Sequence, residues 1–242
     1  ALGRIHTAEE AAETVRLAQS AGIENISLDL MIGIPYQTEK SLLKSAGFCA
    51  ALGVKHISAY MLKIEEGTPL ASSPLRKECP DDEKTAGLYL ALCGELERLG
   101  YKQYEISNFA LPGCESRHNL KYWRGGEYLG IGPAAHSFME NRRFYFDRDI
   151  SAFLKKPFDL IEREEGSGGG WEEYAMLRLR LCEGLDTAEL SARFPSADSA
   201  GILRRARLYE PAGLLKINGS KIAFTPKGFL LSNMLTAEIL YE

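Results

Sequence analysis

The sequence predicts an α/β fold, the later part of a (β/α) partial barrel followed by a small winged-helix-like α+β domain, on three observations. Amphipathic helical stretches alternate with short apolar strands over roughly the first 110 residues. The character changes after residue 150, where "EREEGSGGG" (162–170) is charged and then Gly-rich. Beyond it, short helices precede a hairpin signal. The expected division is therefore 1–161, a linker at 162–170, and a C-terminal domain at 171–242.

The elements follow in order. Thr7 and Glu10 form a capping box, Ala11, Val15 and Ala18 share a helical face, and Gly22 stops the helix. In "IENISLDLMIGIP" Ile26, Leu28, Leu30 and Ile32 lie on one face of a strand, and Ser27, Asp29 and Met31 on the other. Thr38 opens a second helix through Leu42, Leu43, Ala46 and Cys49 to Gly53, and "KHISAYMLK" is a second strand. Asp81 caps a third helix with Leu88, Leu92, Leu96 and Leu99 in register, and "YKQYEISNF" is a third strand. Strands separated by helices imply a parallel sheet covered by helices, but three units do not close an eight-stranded barrel. In the second half "WEEYAMLRLRL", "DTAELSARF" and "DSAGILRRARLYEPAG" read as helices. "LLKINGSKIAFT" reads as a hairpin with Asn218-Gly219 suited to a type I′ turn, and Pro226 to Leu240 as a final helix.

With 242 residues, 45% hydrophobic and 26% charged, the composition is that of a folded protein of one or two domains. A formal net charge of -4 gives no general attraction for nucleic acid or anionic membrane. No apolar run approaches the roughly 18 residues of a membrane span, and the start lacks a signal-peptide pattern and reads like the middle of a domain. A cytoplasmic protein is expected. The cysteines at 49, 79, 93, 114 and 182 are odd in number and form no C-x-x-C pair, as reduced thiols would.

Asp29 is the sharpest residue of the first half. A carboxylate within an apolar strand costs several kcal/mol unless paired, and it lies near the strand end that carries the site in (β/α) architectures. A sugar hydroxyl, a cationic group or a structural hydrogen bond would satisfy it. Lys63 and Glu65 end the second strand, and Glu105, Ser107 and Asn108 gather at the same rim, as site residues or as solvated loop side chains. His118, in "RHNLKYW", is either an imidazole ligand walled by Tyr122 and Trp123 or a turn residue. His136 follows Gly130 and Gly132, which let backbone approach a ligand closely, whereas His6 and His56 read as structural. Arg204, Arg205 and Arg207 raise a DNA-binding reading for the wing-like domain. Residues 171–242 balance nine Lys/Arg against nine Asp/Glu, so a solvated face is favoured.

Taken together, "LGRIHTAEEA", "LDLMIGIPYQT", "HISAYMLKIEEGTPL", "YEISNFALPG", "HNLKYWRGGEYLGIGPAAHS" and "FTPKGFLL" resemble the radical S-adenosylmethionine proteins related to oxygen-independent coproporphyrinogen III oxidase. Nearly the whole chain takes part, and H-N-x-x-Y-W marks the heme chaperone (HemW) branch. The resemblance implies that Asp29 and Arg4 contact S-adenosylmethionine, that Lys63 approaches it through backbone, and that His136 lies close to it. His118 falls on the suspected heme ligand, and the C-terminal unit on the family's small winged-helix-like domain. The family's C-x-x-x-C-x-x-C motif for a [4Fe-4S] cluster does not occur in these 242 residues. The expectation is a truncated chain without cluster ligands, unable alone to cleave S-adenosylmethionine, with no catalytic residue assigned.

The leading reading is a heme-binding and heme-trafficking protein that delivers heme to a respiratory acceptor. A coproporphyrinogen III oxidase of porphyrin biosynthesis is the alternative, and a cluster-free interaction or DNA-binding module the third. An uncovered strand edge and inner face predict homodimerisation or swapping.

Overall fold

The computed structural model describes residues 3, 5–156 and 162–241, in two compact units, Ala1–Ser116 and Arg117–Glu242.

The first unit contains α1 (Ala8–Ser20), β1 (Ser27–Ile32), α2 (Glu39–Ala51), β2 (His56–Met61), a 3-10 turn at Pro74–Glu78, α3 (Asp82–Arg98), β3 (Lys102–Gln103) and β4 (Asn108–Ala110). Helix starts follow the sequence: Thr7 caps α1 in a reciprocal box with Glu10, Thr38 pairs with Ser41 on α2, and Asp81 accepts from the Lys84 amide on α3. Each cap satisfies an otherwise unpaired N–H at about 1 kcal/mol.

The sheet has the order β1-β2-β4-β3. β1 and β2 are parallel as expected, but β4 is antiparallel to both β2 and β3. The third strand read from "YKQYEISNF" is thus two short strands. Residues 104–107 connect them and the chain reverses direction there, with the Tyr104 amide donating to the Asn108 carbonyl at 3.1 Å and the Ser107 carbonyl accepting from the Ala59 amide at 2.7 Å.

Side chains alternate across the pleat. Ile32, Ile57, Ala59 and Phe109 on one face are buried with Leu42, Ala46 and Cys49 of α2 and Leu88, Leu92 and Leu96 of α3. Completely burying one such leucine stabilises the fold by about 1.5–3 kcal/mol. The opposite face carries Ser27, Asp29 and Met31, opposed by His56, Ser58 and Tyr60. This side of the sheet is polar.

The second unit contains α4 (Arg117–Trp123), β5 (His136–Met139), β6 (Arg142–Phe146), α5 (Ile150–Lys155), β7 (Glu162–Ser167), α6 (Trp171–Arg178), β8 (Leu185–Asp186), α7 (Thr187–Arg193), α8 (Ser199–Ala206), β9 (Leu215–Asn218), β10 (Lys221–Phe224), α9 (Pro226–Leu230) and α10 (Ser232–Tyr241). Part of the segment read as a linker is ordered pairing: β7 completes an antiparallel sheet β5-β6-β7. The β5–β6 hairpin turns at Glu140 and Asn141, both with positive φ (51° and 60°), as a type I′ turn requires.

After it, α6, α7 and α8 precede a wing of order β8-β10-β9. In the wing turn Gly219 takes φ +62° at the first central position and Ser220 does not follow, the pattern of type II′ in place of the expected I′. The expected final helix is broken at Leu231 into α9 and α10. Arg205 is no solvated side chain: it donates to the Ile239 and Leu240 carbonyls at 2.8 and 3.2 Å. No helix among the described residues is long and apolar enough to cross a membrane.

Candidate functional site

The polar face of the first unit is organised by register. Asp29 opposes Ser58, and Ser58 opposes Asn108, so one row of polar side chains crosses three strands. Asp29 itself is exposed and makes no hydrogen bond or ion pair among the described residues. The anticipated burial penalty does not arise, because Asp29 on the sheet's first strand is exposed, whereas Ser58 and Asn108 further along the row are buried. What remains is a carboxylate with its acceptor positions unused, able to receive hydroxyl or ammonium donors. Asn108 and Glu105 are buried and hydrogen-bonded to each other, not solvated rim residues.

One register step toward the strand starts, His56 bonds Ser27 Oγ through Nδ1 and Tyr104 Oη through Nε2, both at 2.7 Å. Tyr104 Oη also accepts from the Ser116 amide at 3.3 Å. Burial pushes the His56 imidazole below its ordinary value of 6.5, and the nearby Asp29 charge opposes that shift only in part. A neutral His56 is therefore a fixed part of the floor beneath Asp29. The sequence gives it only as a strand-start histidine, because its partners come from distant segments.

The rim at the strand ends is built by the loop after β1. Gln37 accepts from the Gly33 amide at 2.7 Å and donates to the Met31 carbonyl at 2.8 Å, clamping the strand end. Tyr36 holds φ at +61°, which costs about 1–3 kcal/mol for a residue with a Cβ, and the residue is 65% exposed. Sequence pattern carried no signal for it. Lys63 lies just past β2 with its ammonium 2.7 Å from Glu65, both side chains largely exposed; the Glu65 hydrogen bond and charge raise the lysine's pKa. Arg4 lies outside the described residues.

His118 and His136 belong to the second unit. His118 is exposed on α4 and makes no hydrogen bond among the described residues. Its ring stands edge-on to Tyr122, one turn on, at 4.8 Å and 88°, and Tyr122 in turn meets Tyr128 at 4.6 Å. His136 opens β5, and its Nδ1 lies 2.9 Å from Glu165 Oε2. Its ring stacks on Tyr145, the cross-strand partner, at 5.0 Å and 21°. Gly130 is small for an internal reason, since a Cβ there would strike the His136 carbonyl of the chain itself. The Gly-x-Gly turn therefore seats β5 and does not by itself mark a ligand.

Cys49, Cys79, Cys93 and Cys114 are free thiols. Burial pushes the Cys49 thiol up to about 11 and the Cys93 thiol to about 12, the opposite of what thiolate ligation requires. The described residues include no group of three or more His, Cys, Asp or Glu able to hold a metal ion. Neither Cys49 nor Cys93 is thus suited to ligate a [4Fe-4S] cluster.

Against known proteins, residues 170–231 match the family described as the HemN C-terminal domain. Over 247 residues, covering 99% of this chain and 61% of the relative, the sequence is 33% identical to the heme chaperone HemW of Mycobacterium tuberculosis. To that of Bacillus subtilis it is 30% identical over 248 residues, 100% of this chain and 65% of the relative. Nearly the whole chain is thus similar to proteins of the HemW family. It spans about three fifths to two thirds of the length of these HemW relatives. The coproporphyrinogen III oxidase (HemN) of Escherichia coli, described as a radical SAM enzyme, superimposes with a TM-score of 0.73 at 17% identity. It covers 98% of this chain and 60% of the oxidase, a likeness of fold. The mixed α/β architecture is thus that of the radical SAM enzyme HemN over the HemW-like chain.

Proposed function

We propose that the chain is the heme-binding and heme-trafficking part of a HemW-type protein. The observation that carries this is His118: an exposed imidazole with both nitrogens unused among the described residues, seated on Tyr122, in a chain matching proteins named heme chaperones. A neutral imidazole is an axial donor for heme iron, and an aromatic neighbour suits the apolar macrocycle. Asp29, Lys63 and Arg4 are assigned to S-adenosylmethionine in the longer protein, with His136 close to it. The open carboxylate of Asp29 supports a contact with hydroxyl or ammonium groups of that ligand. A respiratory protein is the proposed acceptor of the heme, and the free thiols support a reducing compartment, the cytoplasm.

Titration with hemin tests this. The chain should develop a protein-bound Soret band, and His118→Ala should weaken hemin binding about tenfold or more. Equal affinity in the variant removes His118 from the site. The second reading, oxidative decarboxylation of coproporphyrinogen III, is supported by the likeness to HemN. Decarboxylation of that substrate by the longer protein would favour it.

A further inference from the structure

We propose that Arg117 and Lys121 bind the two propionate carboxylates of the heme whose iron His118 ligates, so that α4 selects a macrocycle with free carboxylates. This rests on the heme-binding reading above. Within α4 and the residue after it, positions 117, 118, 121 and 124 are exposed, while 119, 120, 122 and 123 are half-buried. One face of this short helix therefore presents an imidazole among three cations.

Those cations are not equivalent. Arg124 is neutralised by Glu183, whose two carboxylate oxygens accept from its guanidinium at 3.3 Å each. Arg117 and Lys121 make no hydrogen bond or ion pair among the described residues. The acidic residues nearest in sequence accept from other groups: Glu115 from the Gly113 amide at 3.4 Å, and Glu127 from the Glu140 amide at 2.6 Å. In a chain of net charge -4, two positive charges thus stand unanswered beside His118. Arg117 does nothing for the helix, since a cation in the first turn opposes the dipole.

Lys121 is held by the way α4 ends. Gly125 takes φ +69°, and the Gly125 and Gly126 amides donate to the Tyr122 and Lys121 carbonyls at 2.9 and 2.8 Å, a Schellman motif. A Cβ on Gly126 would stand 2.9 Å from Lys121 Cγ, so the bare glycine makes room for the lysine stem. The stem lies on the turn, three residues from His118 and so beside it on the helix surface.

The neighbours define the ligand. From His118 the rings of Tyr122, Tyr128 and Phe138 follow one another, at 4.8, 4.6 and 6.4 Å between successive centroids. Leu129, next to Tyr128, is 60% exposed. An iron donor, an apolar surface and two free cations answer the three parts of one amphiphile, which coordinates through its metal, covers apolar surface with its ring and carries two carboxylates on one edge. Arginine takes a carboxylate bidentately and lysine as a point charge. A simple anion would use neither His118 nor the rings, and a porphyrin without carboxylates would leave both cations idle.

The test compares hemin with hemin dimethyl ester, in which both carboxylates are masked, by Soret titration of the whole chain. Wild type should bind hemin about threefold to tenfold more tightly than the ester, the worth of two exposed ion pairs, and high salt should shrink that preference. Arg117→Gln combined with Lys121→Met, which keeps the stem over Gly126, should abolish the preference by weakening hemin alone. His118→Ala should weaken both ligands and keep the preference. Equal affinity of the wild type for hemin and ester would overturn the carboxylate contacts and leave the heme reading intact. So would a double variant of unchanged urea midpoint that weakens both ligands alike. Failure of the wild type to bind either ligand would overturn both readings.

Discussion

At the scale of single residues, Asp29 and His56 divide the work of the sheet face between a charge that stays in water and an imidazole that does not. His56 is buried with both nitrogens bonded, and its pKa is depressed below 6.5, chiefly by burial. The unfolded chain takes up a proton near that value while the folded chain resists it to lower pH. Between the two the unfolded state binds more protons, so stability rises with pH across the window and is lost as pH falls below about 6.5. Urea unfolding near neutral pH and at about pH 5.5 should therefore show a steeper loss in the wild type than in His56→Gln. Asp29→Asn should deepen the loss, because the Asp29 charge raises the imidazole pKa. Identical pH slopes in all three proteins would contradict the assignment of a neutral His56.

At the scale of elements, Arg205 on α8 closes the end of α10. Its guanidinium donates to two carbonyls of the last helical turn and lies 3.6 Å from Asp198, so it both satisfies orphan acceptors and opposes the helix dipole. Arg205→Ala should cost about 1.5–3 kcal/mol in urea unfolding, with Arg205→Lys recovering part of it; no change in midpoint would mean the contact is idle. The same side chain marks how far sequence pattern reaches. An arginine run on a helix reads as a solvated face until α10 is seen to end against it. Capping boxes at Thr7 and Thr38 and the leucine register of α3 were legible because their partners lie within four residues. The β5–β6 hairpin was not, since Glu140-Asn141 is not the Asn-Gly or Asp-Gly pair that announces such a turn. Nor was β7, whose "EREEGS" has no apolar alternation and is mostly exposed. The site divides the same way. Asp29 and His118 stood out by residue type, while the Ser27–His56–Tyr104 chain and the His136–Glu165 contact depend on register between distant strands.

At the scale of the whole molecule, the free edge of β1 is the feature from which association is predicted. The strand order β1-β2-β4-β3 leaves β1 paired on one side only, with no strand on its other edge among the described residues. Parallel strands normally lie within a sheet, and an unpaired edge offers a row of donors and acceptors to another strand. Beside that edge runs an apolar cleft in which Val15 and Ala18 of α1 face Ile26 and Leu28. A second copy presents the same pair of features, an unsatisfied edge and an apolar strip, so it complements the first by two-fold symmetry. Light scattering of the 242-residue chain should accordingly report a dimer that grows with protein concentration. Leu28→Lys, which places a charge beside the edge, should shift it toward monomer while unfolding stays cooperative. A strictly monomeric wild type at high concentration would show that this edge does not recruit a second copy.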